Sequence, residues 1–150
     1  MTESHDTQAR PTADPAIQAQ PRVRRWFGYL ILAEAVTFGF ASYLHLDGSI
    51  PLGFATVHGE QFRAAAIPEA VIGVVLAAGA VFVLAASRRA RGIAIGATLF
   101  AIAGVIVGLN AIIGSSRPAA DYVYHSVIMA ALLVTFVLLL LERRQRVRSR

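Results

Sequence analysis

Two histidines, His45 and His125, two carboxylates, Glu34 and Glu69, and the carboxamide of Asn110 fall inside or at the edge of long apolar stretches of this chain. Three more polar groups, His58, Glu60 and Asp121, stand in connecting segments close by. Imidazoles and carboxylates suit Zn²⁺, Cu²⁺ or iron, and His45 and His125 on separate segments can in principle clamp a haem iron from two sides. The same groups can hold a ligand or partner without chemistry, or satisfy one another as a packed polar network. A carboxyl group as deep in an apolar run as Glu34 also suits proton or cation coupling in a small transporter. No H-x-x-x-H or H-E-x-x-H pair is present, so a metal would draw its ligands from different segments.

Covalent chemistry has little to work with. Cysteine is absent, which excludes disulfides, thiolate metal sites and thiol nucleophiles. Ser126 adjoins His125, but neighbours on a helix point about 100° apart, which rules against a Ser-His pair there. Phosphate-binding glycine loops and nucleotide fingerprints are missing, and the expectation is a protein that is not an enzyme. Cofactors are left unassigned.

The elements that must position these groups are four apolar runs. Residues 92–113, GIAIGATLFAIAGVIVGLNAII, carry no formal charge and are long enough to cross a hydrocarbon core of roughly 30 Å at about 1.5 Å per residue. Similar runs cover about 26–46, 64–86 and 122–141. With 56% apolar residues in a chain of 150, the fold class expected is all-α, an integral four-span membrane bundle over 22–141. Residues 1–21, polar and interrupted by Pro11, Pro15 and Pro21, read as a disordered tail, and 142–150 as a basic one.

All fourteen basic residues are arginine, and their blocks orient the bundle. Arg22, Arg24 and Arg25 precede span one, Arg88, Arg89 and Arg91 join spans two and three, and five follow span four. The two opposite connections hold only Arg63 and Arg117. This asymmetry predicts a plasma-membrane protein with both termini cytoplasmic. Flanking arginines need no nucleic-acid partner; anionic lipid satisfies them.

With that orientation His45, Glu69, Asn110 and His125 share a depth near the outer face, below His58, Glu60 and Asp121. Glu34 lies deeper on the face of span one shared by Phe38, Ala41 and His45. In span three, Ala97, Ala101, Gly104 and Gly108 line one stripe, extended by Gly92 and Gly96 towards the arginines. Such a stripe allows close backbone approach, either within the chain or between copies in a homo-oligomer. The segment 47–63 is too apolar for a solvated linker and is expected to pack across the bundle mouth or in the interface.

Ile31-Leu-Ala-Glu34-Ala-Val36 resembles the first-helix signature of the small multidrug resistance transporters. That resemblance implies a proton-exchanging Glu34 shared in a dimer; the long tail, the long first connection and Glu69 depart from the family pattern. The stretches Ile50 to Phe54 and Asp121 to His125 resemble those of a group of small four-helix membrane proteins of actinobacteria, which implies a fold but no activity. The expected function is binding of a ligand or partner through the outer polar cluster. Transport through Glu34, an accessory role beside a partner membrane subunit, and metal or haem binding are the alternatives.

Overall fold

Inside a bilayer no water is available to peptide groups, so an apolar run must close its hydrogen bonds within itself as a helix. The computed structural model describes residues 23–59, 62–113 and 119–148, the side chains of 143–148 excepted. Among them are four α-helices: α1 Arg25–Leu44, α2 Arg63–Leu84, α3 Ala90–Ile112 and α4 Ala119–Arg148. Each contains a segment long and apolar enough to cross a membrane. The protein is an all-α, multi-pass, four-helix membrane bundle. The tail 1–21, Glu60 and Arg117 lie outside the described residues.

Two boundaries differ from the sequence expectation in ways that matter. Helix α2 begins at Arg63, so Glu69 lies well past its first turn and does not serve as a first-turn acid. Helix α4 runs beyond the apolar stretch to Arg148, because the basic segment contains neither Gly nor Pro to stop it.

Successive helices pack antiparallel in a ring, and the ring closes where α1 meets α4, its thinnest seam. The core is built from Phe27, Ile31 and Phe38 of α1, Leu76 and Val83 of α2, Ala94 and Ala101 of α3, and Leu132 and Leu139 of α4. Large apolar side chains such as Tyr29, Val74, Val107 and Val134 face outward, a surface that suits lipid and would be costly in water.

The small-residue stripe of α3 is used inside the chain. Ala97 and Ala101 are buried, and a Cβ at Gly104 or Gly108 would run into Ile72 of α2 or His125 of α4. Gly79 of α2 meets Ala97 in the same way. Gly92 and Gly96 do not extend this contact; they are exposed with open space around them, because their positions rotate them well away from the Ala97 face.

Helices α1 and α2 each end on a left-handed residue, Asp47 at φ 69° and Ala86 at φ 53°. At the second, Ser87 N–H donates to Phe82 and Ala86 N–H to Val83, the paired bonds of a Schellman turn. Alanine is strained there where glycine is not, so Ala86→Gly is expected to stabilise the protein by about 1 kcal/mol. Reversible unfolding in mixed micelles measures it, and an unchanged or lowered stability would contradict the strain argument.

The connection after α1 forms an antiparallel hairpin that the sequence reading did not anticipate, β1 Ser49–Pro51 with β2 Thr56–His58, Ile50 opposite Val57. Gly53 takes a positive φ in its turn, and Phe54 projects from the tip almost fully exposed. The hairpin is tied to the bundle where Gly59 N–H donates to Gly48 and Phe62 N–H donates to His45.

Candidate functional site

Helix α1 and its C-cap bury Phe27, Ile31, Glu34, Phe38, Ala41 and His45 along one stripe, so Glu34 and His45 face the bundle. His45 sits at the helix end and reaches α2: its Nδ1 lies 2.7 Å from Glu69 Oε2, with both side chains buried. A carboxylate only accepts, so Nδ1 carries the proton and donates. His45 Nε2 lies 4.0 Å from Asp121 Oδ1 at the start of α4. The second oxygen of Glu69, Oε1, is buried without a hydrogen-bond partner.

His125 lies one turn beyond Asp121 on α4. Its Nδ1 is 2.7 Å from the Asp121 carbonyl, which can only accept, so Nδ1 carries a proton and donates it there. The Nε2 edge of the ring faces Gly108, where a Cβ would come within 3.2 Å of it. Phe62 and Tyr124 present ring edges to His45 and His125 respectively.

These groups line two adjoining cavities. The inner one, about 150 Å³, is walled by His45, Glu69, Asp121 and His125 together with Phe38, Phe62, Ile72, Gly104 and Gly108. The outer one, about 410 Å³ and more open, lies between α1, the hairpin and α4, and is lined by His45, His58, Asp121 and Tyr124 among others. His45 and Asp121 line both, so they form the partition. The Tyr124 hydroxyl is buried without a partner.

Asn110 does not join this cluster. It is exposed, and its amide donates to Ile106 O in the preceding turn at 2.8 Å. The correction has a simple cause: Gly108 faces the cavity, and a residue two positions on points about 200° away. Similar depth placed Asn110 with the others, but its azimuth removes it. His58 is exposed on β2 and contributes only to the outer cavity.

Glu34 is separate from the site. Its Oε1 accepts a 2.6 Å hydrogen bond from Thr135 of α4, its Oε2 is buried without a partner, and it lines neither cavity. Phe38, one turn nearer the cavity on the same stripe, stands between. Neither of these two cavities therefore reaches Glu34. Thr135 was missed from sequence, although the lone hydroxyl in the apolar run 127–141 was a usable signal. Thr135→Val leaves both carboxyl oxygens without a donor and is expected to cost about 1–3 kcal/mol, measured by unfolding in micelles. An unchanged stability would mean that Glu34 finds another donor.

The metal and haem alternatives do not fit this geometry. Among the described residues, no three His, Asp or Glu side chains are grouped to hold a metal ion. The inner cavity, at about 150 Å³, is well below the roughly 300–1,000 Å³ of cofactor pockets. At the opposite end of the bundle, Arg91 of α3 donates to the Leu139 carbonyl at 2.9 Å and approaches Glu142 at 3.9 Å, tying α3 to α4. The serine bond from Ser42 to the Ala66 carbonyl, 2.7 Å, does the same for α1 and α2 beside the site.

Comparison with protein-family models, with curated proteins and with solved structures gives no match to this chain.

Proposed function

We propose that this chain is a plasma-membrane protein that binds a small ligand non-covalently, without catalysis, in the inner cavity bounded by His45, Glu69, Asp121 and His125. The observation that carries the reading is a buried carboxylate oxygen, Glu69 Oε1, left without a partner beside a cavity. A buried acceptor of that kind is costly unless something donates to it. Glu34 Oε2 is also buried without a partner but lines neither cavity, so the cavity beside Glu69 Oε1 is what supports a ligand there. The arginine asymmetry supports cytoplasmic termini and an outward-facing site, with the hairpin cavity as the approach to it. Lipid contact around the bundle follows from the exposed apolar side chains. The Ala97 to Gly108 stripe is spent on internal packing, so the reading requires no second copy or partner subunit.

The test is thermal unfolding of the full chain in mild detergent with 1-butanol, butyrate or n-butylammonium, compounds of about five heavy atoms matched to a cavity worth roughly five water volumes. A bound ligand raises the midpoint saturably by mass action. At least one probe is expected to do so, with the response removed by Gly108→Leu, which fills the space before His125. If no probe shifts the wild-type midpoint, the binding reading is wrong.

A further inference from the structure

The geometry points to a small organic cation bearing N–H donors, a primary ammonium, as the ligand class of the inner cavity; this inference rests on the binding reading above. The polar groups offered to the cavity are acceptors. Glu69 Oε1 is buried and without a partner, on a residue only 4% exposed. His125 is committed by its own helix: its Nδ1–H is given to the Asp121 carbonyl, so Nε2 can only accept in the neutral ring. Asp121 adds a second carboxylate, and among the described residues no arginine lines the cavity.

The unpartnered Tyr124 hydroxyl lines the outer cavity and not this one, so beside the committed His125 the side-chain N–H donor of the inner wall is that of His45. The His45 Nδ1–H is engaged with Glu69 Oε2 at 2.7 Å. An occupant that only accepts, such as a carboxylate or phosphate, would place its charge against Glu69 and Asp121 with no donor free to meet it. A neutral apolar occupant would leave Glu69 Oε1 as it is, unsatisfied. An ammonium supplies three N–H groups and a compensating charge, and the remaining wall favours an alkyl or aryl tail: Phe38, Phe62, Ile72 and Val105 all line the space. A bare divalent ion is the weaker fit, because no three ligating side chains are gathered among the described residues.

Isothermal titration of the full chain in mild detergent tests this with n-butylammonium against 1-butanol, its neutral isostere. Butylammonium is expected to bind saturably and at least about tenfold more tightly than butanol, the difference a charge-assisted hydrogen bond makes. Glu69→Gln keeps an acceptor for the His45 Nδ1–H, so the fold is retained. It replaces the unpartnered oxygen by an amide donor, and should lower butylammonium affinity by about tenfold or more while sparing butanol. Equal binding of the two probes, or preference for butanol or butyrate, overturns the cation assignment and leaves the binding function standing. Butylammonium binding unchanged by E69Q overturns the assignment of Glu69 as its recognition group. Absence of binding by every probe overturns the function and the ligand class together.

Discussion

His45→Ala is expected to destabilise the bundle by about 3 kcal/mol, more than Glu69→Ala and far more than Glu69→Gln. The imidazole is the partner on Glu69 Oε2 at 2.7 Å, and Oε1 already has none, so its removal strands the whole carboxyl group in a buried site. The reverse deletion is milder. An imidazole without its carboxylate can stay neutral and face the adjoining cavity, at a cost of about 1–2 kcal/mol. Gln in place of Glu69 still accepts the Nδ1–H. The double variant H45A/E69A should be more stable than the sum of the single losses by about 1 kcal/mol or more, because each single change removes the same contact. Equilibrium unfolding of the four proteins in mixed micelles provides the cycle. Equal single losses that simply add would show that the pair is not formed in the folded membrane protein.

Gly59→Ala carries the second large effect, through sterics. A Cβ at Gly59 would run into the carbonyl oxygen and carbonyl carbon of Leu44. Both are backbone of the last turn of α1, so no side chain can rotate away. The clash is avoided only by releasing the hairpin from the bundle, which breaks the Gly59 to Gly48 bond and pulls on the Phe62 to His45 bond. A loss of about 3 kcal/mol or more follows. Val57, His58 and Gly59 wall the outer cavity, so the variant also loses the approach to the site. Gly53→Ala is the control: its φ of +83° strains alanine, but nothing lies within 4 Å, and a loss near 1 kcal/mol is expected. A loss at Gly59 no larger than at Gly53 would place the hairpin away from Leu44 in solution.

Much of the site was legible as a set of residues and little of it as a set of contacts. Glu34 and His45 lie on the buried stripe of α1 as helical spacing required, and Glu69 and His125 sit at the same end of the bundle. Asp121, placed from sequence in a connection above the cluster, belongs to it, because α4 starts at Ala119, earlier than its apolar run. The hairpin escaped notice for a physical reason: three-residue strands are too short to show an alternating pattern, and only the turn residues at Asp47-Gly48 and Pro51 to Gly53 announced it. Ala86 and Gly59 acquire their importance from backbone geometry that composition does not carry.

By itself the sequence determined residence in a membrane, the number of spans, the end of the bundle that holds the arginines and the end that holds the histidines and carboxylates. All of these depend on depth along a helix axis, and depth is read directly from where an apolar run starts and stops. Only the tertiary structure decided which groups meet: His45 with Glu69, Glu34 with Thr135, His125 with Gly108, and Asn110 with none of them. Those pairings depend on how far each helix is turned about its own axis. Lipid is as apolar as the core, so hydropathy cannot set that angle; it is fixed by Gly79 against Ala97, Gly104 against Ile72 and the hydrogen bonds that cross between helices.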